Sequence, residues 1–407
     1  MRLTTFALVV CAVGLSVTVA SAQTAAEGAK PATTSAADPA TSSGGATQQP
    51  GGSTSAARPA PTYPKFFSNI QFGGLADAYY DYNSNKPEGD APFRNFDTRH
   101  DDPRLSMAEL WTSKAPTADS RFGFNVRLNT GHAANMIQGV EPSTVPVFDG
   151  RGNAALQQAY VSYLAPVGSG LQIDAGKFVT QHGAEVIEAK DNWNYSRSLL
   201  FTLAIPYYHA GVRATYTLND KVSVMGAVVN GWNDLKDNNG AKTFGAQVML
   251  KPTTRVSIVQ NYMVGAEQPN DDEDIRHLFD TTVTLTATPK VSIMGNYDYG
   301  RDSVGGAGVS WQGIAGYLKV QATPRIALIP RVEWFDDSNG FMTGTTQALK
   351  EATITGEVKL LEGLFTRVEY RRDLSDVAVF TRNTGEARTS QNTFGFGILY
   401  SYAFTTR

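Results

Sequence analysis

Only one cysteine occurs in the 407 residues, and it is Cys11. It lies in the middle of the apolar run FALVVCAVGL, not at the far end where a lipoprotein cysteine would sit. Arg2 precedes that run, and Ala20-Ser21-Ala22 follow it before Gln23. A charged end, a short apolar core and an A-x-A site describe a secretory signal peptide over residues 1–22. The remaining chain then has no cysteine, which excludes disulfides and thiolate chemistry although an exported protein could carry them. A charge of one sign is missing too. There are 35 basic residues, Arg2 among them, against 38 acidic ones, a balance that argues against nucleic acid as a partner. Long apolar runs are also absent. After the leader nothing approaches the ~20 residues that a spanning helix needs. A soluble exported protein or a membrane β-barrel remains.

Residues 23–64 are Ala, Thr, Ser, Gly and Pro with few large apolar groups. Such a segment buries too little surface to offset its ordering entropy and reads as a linker. The pattern then changes to alternation over a third region, 65–407. AGVRATYTL sets Val212, Ala214 and Tyr216 against Arg213, Thr215 and Thr217. ATITGEVKL sets Ile354 and Val358 against Thr353, Thr355 and Glu357. Period two with one polar face is a half-exposed strand. Sixteen such stretches run from 70–83 to 391–404.

The connections alternate in length. Tight turns fall at Asn219-Asp220, Pro252-Thr253, Pro289, Pro324 and Glu362-Gly363, with residues that tolerate turn dihedrals. Long polar connections fall at 84–103, 131–153, 180–207, 233–242, 266–276, 302–308, 337–347 and 374–390. Short periplasmic turns, long external loops and an even strand number predict an all-β, antiparallel, up-and-down transmembrane barrel in an outer membrane. Tyr80, Tyr82, Trp232, Tyr299 and Trp334 stand at one set of strand ends, as expected of an aromatic rim. The last strand, FGFGILYSYAF, puts Phe394, Phe396, Ile398, Tyr400, Tyr402 and Phe404 on one face. The expected surroundings are outer-membrane lipid and lipopolysaccharide.

Several motifs cluster around the longest connection. They are Gly176-Lys177, Gly183 with Glu185, Asn194-Tyr195-Ser196-Arg197-Ser198, Pro206, and His209-x-Gly211, followed by Asn230-Gly231-Trp232. With these the chain resembles the OmpL-like β-barrel porin family of Gram-negative bacteria, over roughly 65–404. The resemblance implies passive diffusion of small hydrophilic solutes across the outer membrane. It brings no catalytic residues and no cofactor.

Catalytic signatures are missing as well. Of the five histidines, none has a serine two residues on. GVSWQG has Gln312 where a nucleophile elbow needs glycine, and HGAEVIE lacks the HExxH order. The run Asn270-Asp271-Asp272-Glu273-Asp274 lacks the spacing of a calcium loop, so no metal site is expected. The functional candidates are charges on the lumen face. Alternation turns Arg127, Arg213, Arg331, Arg367 and Arg371 inward, and opposite charges there either pair across strands or set selectivity. The connection 179–208 adds Glu185, Glu188, Asp191 and Arg197. Folded inward, it would oppose its carboxylates to wall arginines as a pore constriction. Its apolar half, Leu199-Leu200-Phe201 and Leu203-Ala204-Ile205, either pins it inside or covers a subunit contact in a homotrimer. A structural or adhesive barrel, and an outer-membrane hydrolase, are the alternatives.

Overall fold

The computed structural model describes residues 67–139 and 154–406. Both the expected leader, 1–22, and the linker, 23–64, lie outside the described residues. Strands follow in the order β1 (Gln71–Asn83), β2 (Arg104–Lys114), β3 (Phe122–Thr130), β4 (Ala154–Ala165), β5 (Leu171–Val179) and β6 (Tyr208–Asn219). Next come β7 (Val222–Val229), β8 (Thr243–Leu250), β9 (Val256–Ala266), β10 (Ile275–Thr288), β11 (Val291–Val304) and β12 (Ala307–Thr323). The series ends with β13 (Ile326–Asp337), β14 (Gln347–Leu361), β15 (Leu364–Ser375), β16 (Phe380–Thr381), β17 (Ala387–Arg388) and β18 (Ser390–Thr405). Sixteen of these close one barrel, in which each strand pairs with its sequence neighbours. The closing seam pairs β1 with β18 antiparallel, from Gln71 opposite Thr405 to Asn83 opposite Thr393. The short β16 and β17 form a separate hairpin within the last external loop.

Closure satisfies every wall strand on both sides, which a sheet in lipid requires. The outward face carries the apolar set. Leu110, Val161, Val332, Val368 and all six apolar or aromatic positions of the final strand named above are exposed. Inward positions carry Asp77, Glu109, Asp280, Arg331, Glu369 and their like, all buried. Tight periplasmic turns end four hairpins with a bulge just before the turn, at Thr217/Asn219, Thr286/Thr288, Gln321/Thr323 and Lys359/Leu361. An extra residue there tightens the local twist into the reversal.

Three expectations need correction. The connection at 302–308 is no long loop: β11 runs to Val304, β12 starts at Ala307, and Gly305-Gly306 turn with φ of 57° and 79°. Two successive positive φ angles make a tight hairpin turn, and only glycine adopts them without steric cost. The second long connection holds a helix, α1 (His132–Gly139), that no sequence signal marked. Finally, Trp232 is not on an outer rim. It packs edge-on against inward-facing Trp311, with ring centroids 6.1 Å apart.

The lumen is not polar throughout. At its external half, Leu75, Met107, Leu278 and Phe335 of the wall meet Phe96, Ile137, Leu200, Phe201 and Phe380 from the loops and α1 in one buried apolar cluster. Loops that would otherwise flap in water thereby bury their apolar side chains inside the barrel, which favours their folding inward.

Candidate functional site

The connection between β5 and β6 enters the barrel through a narrow neck. Thr180 donates its backbone N–H to the Tyr207 carbonyl at 3.0 Å. The Thr180 hydroxyl lies 3.2 Å from His182 Nδ1 and 3.1 Å from His209 Nε2, and His209 Nδ1 lies 3.0 Å from the Gly231 carbonyl. A carbonyl only accepts, so His209 Nδ1 holds the proton and its Nε2 accepts from Thr180. Burial, with His209 adding to it, pushes the His182 imidazole well below its usual value, so it is neutral at pH 7.

Beyond the neck the segment crosses to the opposite wall, where three buried arginines hold its main chain. From β13, Arg331 donates to the Ser196 carbonyl at 2.7 Å and to Glu185 at 2.9 Å, while Glu333 and Glu351 flank its Nε at 3.1 and 3.0 Å. From β15, Arg367 donates to the carbonyls of Ala189, Asn192 and Asn194 at 2.6, 2.6 and 2.9 Å and is balanced by Glu357 at 2.8 Å. Arg371, four residues on, donates to the Arg197 carbonyl at 2.6 Å. Planar guanidinium groups with several fixed donors suit a cluster of carbonyls that one ammonium could not serve.

The wall also supplies acceptors. Glu369 takes the N–H groups of Tyr195 and Ser196 at 2.9 and 3.2 Å, and Glu333 takes that of Leu199 at 2.8 Å. The Tyr195 hydroxyl donates to Asp77 of β1 at 2.8 Å, and the Asn194 amide donates to Thr355 at 2.7 Å. Irregular backbone inside a barrel thus finds its hydrogen bonds on the wall, as buried backbone must. Apolar contacts reinforce the anchorage. The Trp311 indole donates to the Ala204 carbonyl at 3.2 Å. Gly313 leaves room for Leu200, whose Cδ2 would stand 2.4 Å from a Cβ built there. Leu199 to Ile205 therefore pin the segment inside the barrel, one of the two outcomes left open.

The candidate charges separate into groups. Glu185 faces Arg331, and Glu188 meets Arg127 at 3.3 Å and the Gln157 amide at 2.8 Å. Burial pushes the Glu188 carboxyl up, but Arg127 and Lys190 outweigh it and hold it below its usual range. Asp191 does not pair with a wall arginine. It bonds Lys190 beside it at 2.6 Å and keeps 45% of its side chain exposed. Arg197 also differs from expectation: it donates to the carbonyls of Tyr195 and Ile187 in its own loop and lies under the Phe96 ring. Arg213 stands apart, paired with Asp174 on the neighbouring strand at 3.0 Å. Trp193, Tyr195 and Tyr207 serve as loop packing, against Tyr317, Tyr79 and Phe201. One participant had no sequence signal. Arg94 of the first external loop reaches inside to Asp81 at 3.6 Å, Asp373 at 3.8 Å and its own neighbour Asp97.

Beneath the crossing segment a cavity of about 500 Å³ lies between residues 181–186 and the periplasmic end of β6 and β7. Asp174 and Arg213 are on its wall. Among the described residues, no group of three or more His, Cys, Asp or Glu is arranged to hold a metal ion.

The barrel is similar to several solved outer-membrane proteins. The trimer form of in-vitro folded OmpT of Vibrio cholerae superposes with a TM-score of 0.54 at 12% identity, covering 82% of this chain and 99% of that one. The outer membrane channel DcaP of Acinetobacter baumannii gives 0.53 at 12% identity, over 84% of this chain and 100% of that one. An anion-selective porin from Comamonas acidovorans gives 0.54 at 10% identity, over 82% and 100%. At such identities the likeness establishes the fold. No curated protein sequence matches the chain. Residues 69–402 match the family described as "Putative beta-barrel porin-2, OmpL-like", and the chain belongs to that family of outer-membrane porins.

Proposed function

We propose that the protein is a passive outer-membrane channel for small hydrophilic solutes, with the 179–208 segment as its constriction. The observation that carries this reading is the anchorage of that segment on the far wall by Arg331, Arg367 and Arg371. A segment bonded across the lumen leaves solutes only the space beside it. Charges at that narrowing, among them Arg127, Glu188 and Asp191, bias which ions pass. No cofactor or energy source enters this mechanism. Planar-bilayer reversal potentials in a salt gradient test it. Neutralising Glu185, Glu188 and Asp191 together should shift cation/anion permeability, and an unchanged potential removes these carboxylates from the constriction.

We further propose export by the 1–22 leader, a linker at 23–64 and, by likeness to the trimer form of OmpT, a homotrimer in lipid and lipopolysaccharide. The apolar packing at the external half of the lumen favours a second reading, a structural or adhesive barrel. Folded protein that inserts into bilayers yet gives no ion-permeable events would select it.

A further inference from the structure

We infer that the periplasmic mouth of the cavity beneath the crossing segment is a binding site for a small dianionic solute, held between Lys221 and Lys251. The inference rests on the channel reading above for calling the ligand a transported solute. Three observations carry it. First, two cations stand face to face on the cavity wall. The Lys251 N–H donates to the Lys221 carbonyl at 2.7 Å, one rung beyond the pair Val222 and Leu250, so the two lysines are directly opposite at the ends of β7 and β8. Both line the cavity, together with Ser223 and Met225 of β7 and Met249 of β8. Opposite residues that point the same way have Cβ atoms about 5 Å apart, and like charges so placed repel. Neither lysine has an ion-pair partner among the described residues. Both are exposed, so a solute reaches them without any rearrangement of the protein. A guest with two negative charges turns this repulsion into attraction on both sides.

Second, the deeper charges of the lining are already neutralised. Asp174 is bonded to Arg213 at 3.0 Å, and Glu185 to Arg331 at 2.9 Å. Among the described residues, that leaves Asp220, in the turn before Lys221, as the one carboxylate of the lining without an ion pair. The two lysines outweigh it. Third, the surrounding rim carries the same sign. Among the described residues, the exposed charges at the periplasmic turns are Lys221, Lys251, Arg255, Lys290, Arg325 and Lys359 against Asp119, Asp220 and Glu362. Further round the rim a second pair of cations is opposed, because the Lys359 N–H donates to the Arg325 carbonyl at 2.8 Å. A ring of one sign around a low-dielectric mouth raises the local concentration of counter-ions and speeds their encounter. Lysine ammonium groups are compact point charges with three rotatable donors, which suits an oxyanion arriving in any orientation. A monoanion gains less from the same pair, and an uncharged solute gains nothing from it. The volume, about 500 Å³, is in the range of small-ligand sites.

The test uses the purified full chain and three probes with one phosphoryl group: methyl, dimethyl and trimethyl phosphate. At pH 7.5 they carry about two, one and no negative charges. Phosphorus NMR line broadening in a non-ionic detergent reads binding whether or not the protein conducts. Ion current in planar bilayers reads occupancy of the mouth. Methyl phosphate should broaden, and should depress the current saturably. Dimethyl phosphate should need a higher concentration by about two- to fivefold, and trimethyl phosphate should do neither. Lys221→Gln and Lys251→Gln should each raise the half-saturating concentration of methyl phosphate about two- to fivefold, the value of one exposed ion pair. Asp220→Asn should lower it, a sign that damage to the fold does not imitate. Arg325→Gln removes a rim charge outside the cavity and should leave it unchanged at physiological salt, where exposed charges are screened. All four positions are exposed, where substitutions change stability little. Equal saturation by dimethyl or trimethyl phosphate, no effect of either lysine variant, or an equal effect of Arg325→Gln overturns the inference. Methyl phosphate binding without conduction instead overturns the channel reading and leaves the site standing.

Discussion

Each buried arginine of the far wall serves two masters, a carboxylate on the sheet and carbonyls of the crossing segment. Removing one leaves both unsatisfied. Arg367→Ala strands Glu357 together with the carbonyls of Ala189, Asn192 and Asn194. Breaking a buried pair from one side costs about 3–5 kcal/mol. We expect a clear drop in the urea midpoint, read by tryptophan fluorescence, and no rescue by Arg367→Lys, whose single ammonium cannot reach three carbonyls. The loop carboxylates should divide. Asp191 is half-exposed and bonded only to Lys190, so Asp191→Asn should move the reversal potential while leaving stability unchanged. Glu185 is fully buried between Arg331 and the Ser198 N–H, so Glu185→Gln should lower the urea midpoint. The neck predicts an acid response. His182 has a folded value far below its usual 6.5, so the unfolded chain binds the extra proton. Its contribution is complete above pH 6.5 and declines as pH falls below that value, where the bridge through Thr180 should loosen. His182→Gln, which keeps a neutral polar group, should flatten the dependence of stability on pH between 4 and 6.5, measured by urea titration.

Elements differ in how openly the sequence declares them. Strands were legible because lipid outside and polar groups inside impose a period of two, seen in Ile354 and Val358 against Thr355 and Glu357. The inward direction of Arg331 and Arg367 followed from the same alternation. What they hold did not, since Arg331 meets the Ser196 carbonyl across 135 residues of chain and Arg367 the Asn194 carbonyl across 173. Nothing local encodes such a contact. Arg94 and α1 were invisible for a different reason: Arg94 meets Asp81 and Asp373, and α1 packs on β2, β3 and β4, only once the external loops fold into the lumen, and neither carries a residue pattern that announces it. The turn at Gly305-Gly306 was misjudged because strands can project beyond the bilayer, so polar residues at 302–308 continue the sheet instead of leaving it. The crossing segment itself depends on its apolar stretch. Leu200→Ala with Phe201→Ala removes two fully packed side chains, about 2–5 kcal/mol each. The segment should then leave its place part of the time, and single-channel records should show larger and noisier current steps.

At the scale of the whole molecule, the outward band of leucine, valine and phenylalanine faces either lipid or a second copy. A homotrimer predicts a single cross-linked species of three chains in mild detergent, and a monomer on the same gel would sink that assembly. The two ends of the described chain meet at the periplasmic rim. Asn69 donates to the Thr406 carbonyl at 3.2 Å, and Thr406 donates back to Ile70 at 2.8 Å. In the finished wall no strand is first or last. The order of synthesis leaves no trace in the hydrogen bonding, so the barrel is a ring that happens to be cut between β18 and β1. Joining those ends with a few glycines and cutting at Gly305-Gly306 would move the gap to the opposite rim while keeping every strand beside its old neighbours.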